Sequence, residues 1–292
     1  MTATLAPARP AAAAGRATFA ALAARETRRF ARNPVFLSAV AIIVAAFWVG
    51  PRAGGTKDTG FNSVTTMIAI FLGGFGMIAT FGLTRSMRAS EPVVGVTPVT
   101  LPARTAALCA VAIVPFACGC LTLLAFVHFH PVGGPAYGAF SPPTRMAVLV
   151  GQIVVPALGG PLLGVALGRW VRFPGAAFVL CLLLWAWVSV VTILSESHPD
   201  SAPAVVLRLF APFAFFTHTR NAGGVTAWHG PPWFFLGWQL ALCAIAVLVA
   251  LLRGAEGPVR ARIIRALAIA GAAALILLVL AGAGGFTHAV TT

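Results

Sequence analysis

The side chains able to carry acid–base, metal or nucleotide chemistry are few and scattered. The acidic residues are Glu26, Asp58, Glu91, Glu196, Asp200 and Glu256, and none falls within a long apolar stretch. Ion-coupled transporters place an ionisable residue in the membrane interior, so coupled ion transport is not indicated. The two aspartates stand far apart, so there is no aspartate cluster of the kind that holds a magnesium diphosphate. A His-Glu-x-x-His run and a phosphate loop ending in Gly-Lys-Ser/Thr are both missing, and the sole lysine is Lys57. The five cysteines (Cys109, Cys118, Cys120, Cys181, Cys243) all fall in apolar stretches, where Cys serves as a small hydrophobe. Cys118 and Cys120 are two apart and point in different directions on a helix. The histidines His128, His130, His198, His218, His229 and His288 lie near the ends of stretches or between them. They suit either a metal or pH-sensing site or polar tips at a membrane surface. The expectation is a chain that is not an enzyme and that binds no metal or cofactor of its own; any energy it uses comes from another polypeptide.

The elements that position these residues are apolar throughout. Hydrophobic residues make up 59% of the chain and charged ones 9%, against about 25% charged in a soluble domain. Mean hydropathy is +0.94. A helix needs about 20 apolar residues to cross the hydrocarbon core. Seven stretches qualify: Pro34–Gly50, Phe61–Leu83, Thr105–Phe129, Met146–Gly168, Pro174–Leu194, Trp233–Leu252 and Ile264–Ala283. They are continuously apolar rather than alternating, so they read as helices, since only helices and closed barrels satisfy the backbone in lipid. The fold class expected is an all-α polytopic membrane bundle. The first stretch is short and borrows from the segment before it.

Arginines fix the orientation. With the N-terminus inside, the inner segments hold 15 of the 20 basic residues. The outer segments hold only Arg52, Lys57, Arg145, Arg208 and Arg220. Basic residues stay on the cytoplasmic side during insertion, so the N-terminus is inside and the seventh span ends outside. The net charge of +14 reads as this orientation signal, meeting anionic headgroups, rather than as nucleic-acid binding. Residues 1–33 form a tail and an amphipathic interfacial helix, in which Phe19, Leu22, Ala23 and Phe30 oppose Arg25, Arg28, Arg29 and Arg32. Asn33 caps a new helix that Pro34 begins. Gly160, Gly164 and Gly168 recur every four residues in the fourth span, a stripe that lets another helix approach, within the subunit or at a dimer seam. Pro115, Pro156 and Pro161 are expected to kink spans three and four.

The segment after the second span reads Arg85-Ser-Met-Arg88-Ala-Ser-Glu91-Pro-Val-Val94-Gly-Val-Thr97-Pro98-Val-Thr100-Leu-Pro-Ala-Arg104. It resembles the first cytoplasmic loop of type-2 ATP-binding cassette (ABC) permeases: a basic residue ending span two, a glutamate, an aliphatic pair, then Thr-Pro-Val-Ser. Two departures stand out: one extra residue precedes Thr97-Pro98, and valines replace the usual leucines. The resemblance implies a short coupling helix, about Ser90–Val96, seated in a groove of a separate ATPase subunit. Arg88, Glu91, Val94, Thr97 and Pro98 would make the contact and Arg104 would anchor the inner side. The outer segment Ser195–Pro232, with its apolar run around Phe210 and Phe213, is similar to the short helices that dip into the outer leaflet before the family's sixth span. The amphipathic helix before Asn33-Pro34 also resembles the family's inner-surface helix.

What the resemblance implies is a six-span permease domain over residues 34–252, with residues 253–292 as an appended seventh span and outer tail. Such a chain is the membrane subunit of an exporter in the bacterial inner membrane. It pairs with a second permease chain, identical or different, and with ATPase subunits that bind ATP and Mg. The substrate pathway would draw on Thr65, Thr66, Phe71 and Phe75 of span two and on Trp185, Ser189 and Thr192 of span five. Two other readings stay open. One is a membrane enzyme acting on a lipid or polyprenyl substrate through outer His and Arg residues; the other is an accessory membrane protein that moves nothing.

Overall fold

The computed structural model of the chain describes residues 11–49, 68–90, 100–129, 141–197, 210, 217–220, 224–227 and 232–283. Eight helices and one short ribbon make up these residues. They are α1 (Ala11–Ala31), α2 (Pro34–Val49), α3 (Ala69–Ala89), α4 (Leu101–His128), α5 (Pro142–Trp170), α6 (Ala176–Ser197), β1 (Thr217–Arg220), β2 (Gly224–Ala227), α7 (Pro232–Leu252) and α8 (Gly257–Ala283). α3, α4, α5, α7 and α8 are each long and apolar enough to cross a bilayer, and the bent α1–α2 pair supplies a sixth candidate. In α6 the corresponding apolar stretch, Ala176–Val191, is shorter.

The break between α1 and α2 follows from Asn33 and Pro34. The Asn33 side-chain oxygen accepts from the Val35 amide at 2.9 Å, and its carbonyl accepts from Leu37 at 2.9 Å. This is a helix N-cap with proline at the first helical position, as expected. The two helices meet at 57°. Phe30 and Phe36, centroids 4.5 Å apart, close the inside of the corner. Asn33→Ala removes the cap and should cost about 1 kcal/mol, read as a lowered thermal midpoint of the detergent-solubilised protein.

α5 lies at the centre, with 83% of its apolar window buried, and packs against α3, α4 and α7. α8 returns antiparallel along α7 from a turn at Gly257, whose φ of +53° only glycine adopts readily. It carries the opposite character: 6% of its window is buried, leaving Ile269, Leu275, Ile276 and Val279 exposed. On α6, Phe178, Leu183 and Trp185 are exposed as well. Apolar surface of this extent is unstable in water and ordinary against acyl chains, which makes the chain a membrane protein.

Two of the three prolines expected to kink spans three and four sit beside local changes in helical hydrogen bonding, and Pro161 lies within a regular α-helical stretch. Pro115 has no amide to offer the Val111 carbonyl; the Val114 amide takes it at 3.1 Å, and α4 tightens over Val111–Ala112. Ahead of Pro156, α5 widens into π-helical turns over Val150–Val154, where the ladder re-registers around the missing donor. α3 starts with a second π segment, Ala69–Phe75. In the outer segment the apolar run around Phe210 and Phe213, to which the resemblance assigns short helices, lies outside the described residues except for Phe210, and a short ribbon follows it. Thr217–Arg220 pairs antiparallel with Gly224–Ala227, Thr217 opposite Ala227 and Arg220 opposite Gly224. Thr217, Thr219, Val225 and Thr226 are β-branched and favour strands, and Asn221-Ala-Gly-Gly supplies turn chemistry.

Candidate functional site

The arginine-bearing segments converge at one end of the bundle. The end of α3, the start of α4, the ends of α5 and α7 and the start of α8 meet there, with α1 alongside. Arg88, in the last turn of α3, donates from Nη1 to the carbonyls of Gly168 and Val171, each at 3.4 Å. These are carbonyls at the end of α5, which lack intrahelical partners, and a cation there also opposes the negative helix terminus. Arg29 of α1 reaches Ser86 Oγ at 3.0 Å. Trp170 donates from Nε1 to the Val249 carbonyl at 2.8 Å, and Arg253 returns a bond to the Trp170 carbonyl at 3.4 Å with its guanidinium carbon 5.5 Å from the ring centroid. α5 and α7 are thereby clasped together at this end.

The α3–α4 connection leaves from the same end, between Ser90 and Thr100. Of the residues expected to contact an ATPase, Arg88 braces the end of α5 and Arg104 lies half-buried in the first turn of α4, the segment that packs against α1. Glu91, Val94, Thr97 and Pro98 lie outside the described residues.

The glycine stripe resolves to packing within the subunit. A Cβ on Gly160 would run into the Gly73 carbonyl, and one on Gly164 into the Met77 carbonyl and the Thr80 hydroxyl. At Gly168 it would lie 2.6 Å from Thr84 Cβ. α3 and α5 therefore touch backbone to backbone along their length. Thr80 donates across the seam to the Pro161 carbonyl at 2.8 Å.

Of the expected pathway residues, Phe71 and Phe75 are half-buried on α3, stacked edge to face with centroids 5.2 Å apart. Trp185 is exposed on α6, Ser189 is half-buried there, and Thr192 belongs to the same helix. Thr65 and Thr66 lie outside the described residues. Among the described residues, these side chains are divided between α3 and α6.

The chain's only two glutamines lie on α5 and α7. Gln239 of α7 is fully buried, and neither its side-chain oxygen nor its nitrogen has a hydrogen-bond partner. Gln152 lies in the π segment of α5, 7% exposed. On α5, Val148 packs in a cluster with Phe235, and Val155 in one with Cys243. Gln152 lies between the two valines on α5 and Gln239 between the two partners on α7, so both amides occupy one level of the α5–α7 seam. Arg169, one residue past the fourth expected span, is 1% exposed. Among the described residues no group of three or more His, Cys, Asp or Glu could hold a metal ion.

Comparison of the chain with protein-family models, with curated proteins and with solved structures finds no match.

Proposed function

We propose that this chain is the membrane-embedded permease subunit of an ABC transporter, an exporter whose ATP and Mg are bound by a separate ATPase chain. The observation that carries the reading is the Arg85–Arg104 segment. Its sequence resembles a coupling loop, and it leaves the arginine-rich end from the last turn of α3. α3 is locked to α5 through the glycine seam and Arg88, so a push on the loop moves a helix pair rather than a free end. Ser90, with its hydroxyl bonded to the Met87 carbonyl at 2.7 Å, closes α3 just before Glu91. Under this reading a second permease chain completes the pathway, and the α5–α7 seam with its two amides lies within the moving region.

The test is affinity purification of the full chain from its native membrane, followed by mass spectrometry and ATPase assay of what accompanies it. A nucleotide-binding chain is expected in the wild-type preparation. Glu91→Arg and Val94→Asp should each weaken its association about 30-fold, the effect of losing one central interface contact. Undiminished association in both variants would remove the coupling-loop assignment. Absence of any nucleotide-binding chain, together with turnover of a lipid or polyprenyl substrate by the purified protein alone, would replace the permease by the enzyme reading.

A further inference from the structure

The corner between α1 and α2 leaves an open groove of about 960 Å³, lined by Arg25, Arg28, Arg29 and Arg32 together with apolar surface at Gly82 and Leu83 of α3. Arg25, Arg28 and Arg29 share one face of α1, and Arg32, one residue past its end with its amide on the Arg28 carbonyl at 3.2 Å, continues that row. The other face of α1, including Leu22, Ala23 and Phe30, turns inward. Arg29 is engaged already, with Nη2 on Ser86 Oγ at 3.0 Å and Nη1 3.8 Å from Glu26. That is the one ion pair among the described residues. Among the described residues the four guanidiniums thus share a single carboxylate, and like charges so gathered create a potential that attracts an anion.

The depth and shape of the groove say which anion. Ser86 lies in the last turn of α3, between Arg85 and Arg88, where the apolar stretch gives way to charge. That is the level of lipid headgroups. Next to the arginines, Gly82 is exposed, and a Cβ there would meet nothing within 4 Å. One wall is therefore cationic, and the neighbouring surface is apolar and unfilled. A free inorganic anion would use the first and not the second, whereas a phospholipid uses both. Guanidinium forks suit phosphate oxygens by two-point hydrogen bonding.

We propose that this groove is a binding site for an anionic phospholipid. Arg25, Arg28 and Arg32 hold the headgroup phosphate, and the first part of an acyl chain lies over Gly82 and Leu83. The site is independent of the permease reading.

The experiment is native mass spectrometry of the full chain in mild detergent, titrated with phosphatidylglycerol, phosphatidylcholine or inorganic phosphate. Phosphatidylglycerol should bind in preference to phosphatidylcholine and survive excess inorganic phosphate. Each headgroup-level arginine is worth about a fivefold factor, so the triple variant Arg25→Gln, Arg28→Gln, Arg32→Gln should lose affinity on the order of a hundredfold. Gly82→Phe keeps every charge but fills the apolar side, and should cost about tenfold. It decides the matter if the triple variant fails to fold. Arg260→Gln, Arg262→Gln, Arg265→Gln removes equal charge from the start of α8 and should leave binding unchanged. Wild-type affinity in Gly82→Phe and in a folded triple variant would overturn the site. So would an equal loss in the α8 control, which would mean charge alone, or displacement by inorganic phosphate, which would mean a free-phosphate site.

Discussion

Gly160→Leu should destabilise the bundle by about 3 kcal/mol, at the upper end of what overpacking costs. The reason is the identity of what the new side chain meets. A flexible neighbour could rotate away, but the Cβ of residue 160 would meet the backbone carbonyl of Gly73, in the π segment of α3. Relief requires moving α3 away from α5. That separation also breaks the bond from Thr80 to the Pro161 carbonyl and draws Arg88 off the end of α5. Gly271→Leu is the matched control. It lies on α8, a Cβ there meets nothing within 4 Å, and leucine is a better helix former than glycine by about 1 kcal/mol. Unfolding in detergent, followed by the far-ultraviolet helix signal, should show a large loss for the first variant and none for the second. Equal losses would mean that the seam is not what the glycines protect.

Gln239→Met should act in the opposite direction, raising stability by about 1–2 kcal/mol. A buried amide without partners forfeits its hydrogen bonds to water, at a cost of about 1–3 kcal/mol, and methionine fills similar space without that cost. The stripe Phe235, Gln239, Cys243, Ala246 and Ala250 is otherwise built of apolar residues that pack without polar demands. A glutamine in that stripe is poor for static packing; under the permease reading it belongs to a state in which the seam admits water or substrate. A higher unfolding midpoint in detergent checks the stability effect, and under the permease reading slower transport in proteoliposomes accompanies it. A lower midpoint would show that the amide has a partner that methionine cannot replace.

The spans and the Asn33–Pro34 corner were legible because their causes are local: continuous hydropathy, an amide cap and a ring that fixes φ. The glycine stripe was legible as a surface for close approach, but its partner was not. Choosing α3 over a second subunit depends on how helices distant in sequence pack. Gln152 and Gln239 are the chain's only glutamines, and both lie inside apolar stretches, which is a sequence signal in itself. Arg169 reads as a loop residue because it lies one position beyond an apolar stretch, yet folding of the neighbouring helix ends buries it. The β1–β2 ribbon has a local cause as well, since strand-forming residues flank a glycine-rich stretch of sequence.

The clasp made by Trp170, Val249 and Arg253 has a mechanical consequence. It fastens α5 to α7 at one extremity and so makes that extremity a fulcrum. At about 1.5 Å per residue, Gln152 lies about 27 Å along the lever from Trp170. A tilt of about 5° about the clasp, hardly felt there, swings the glutamine level by about 2 Å. Under the permease reading, opening on the far side then proceeds while the arginine-rich side stays shut, which is the asymmetry a gate needs.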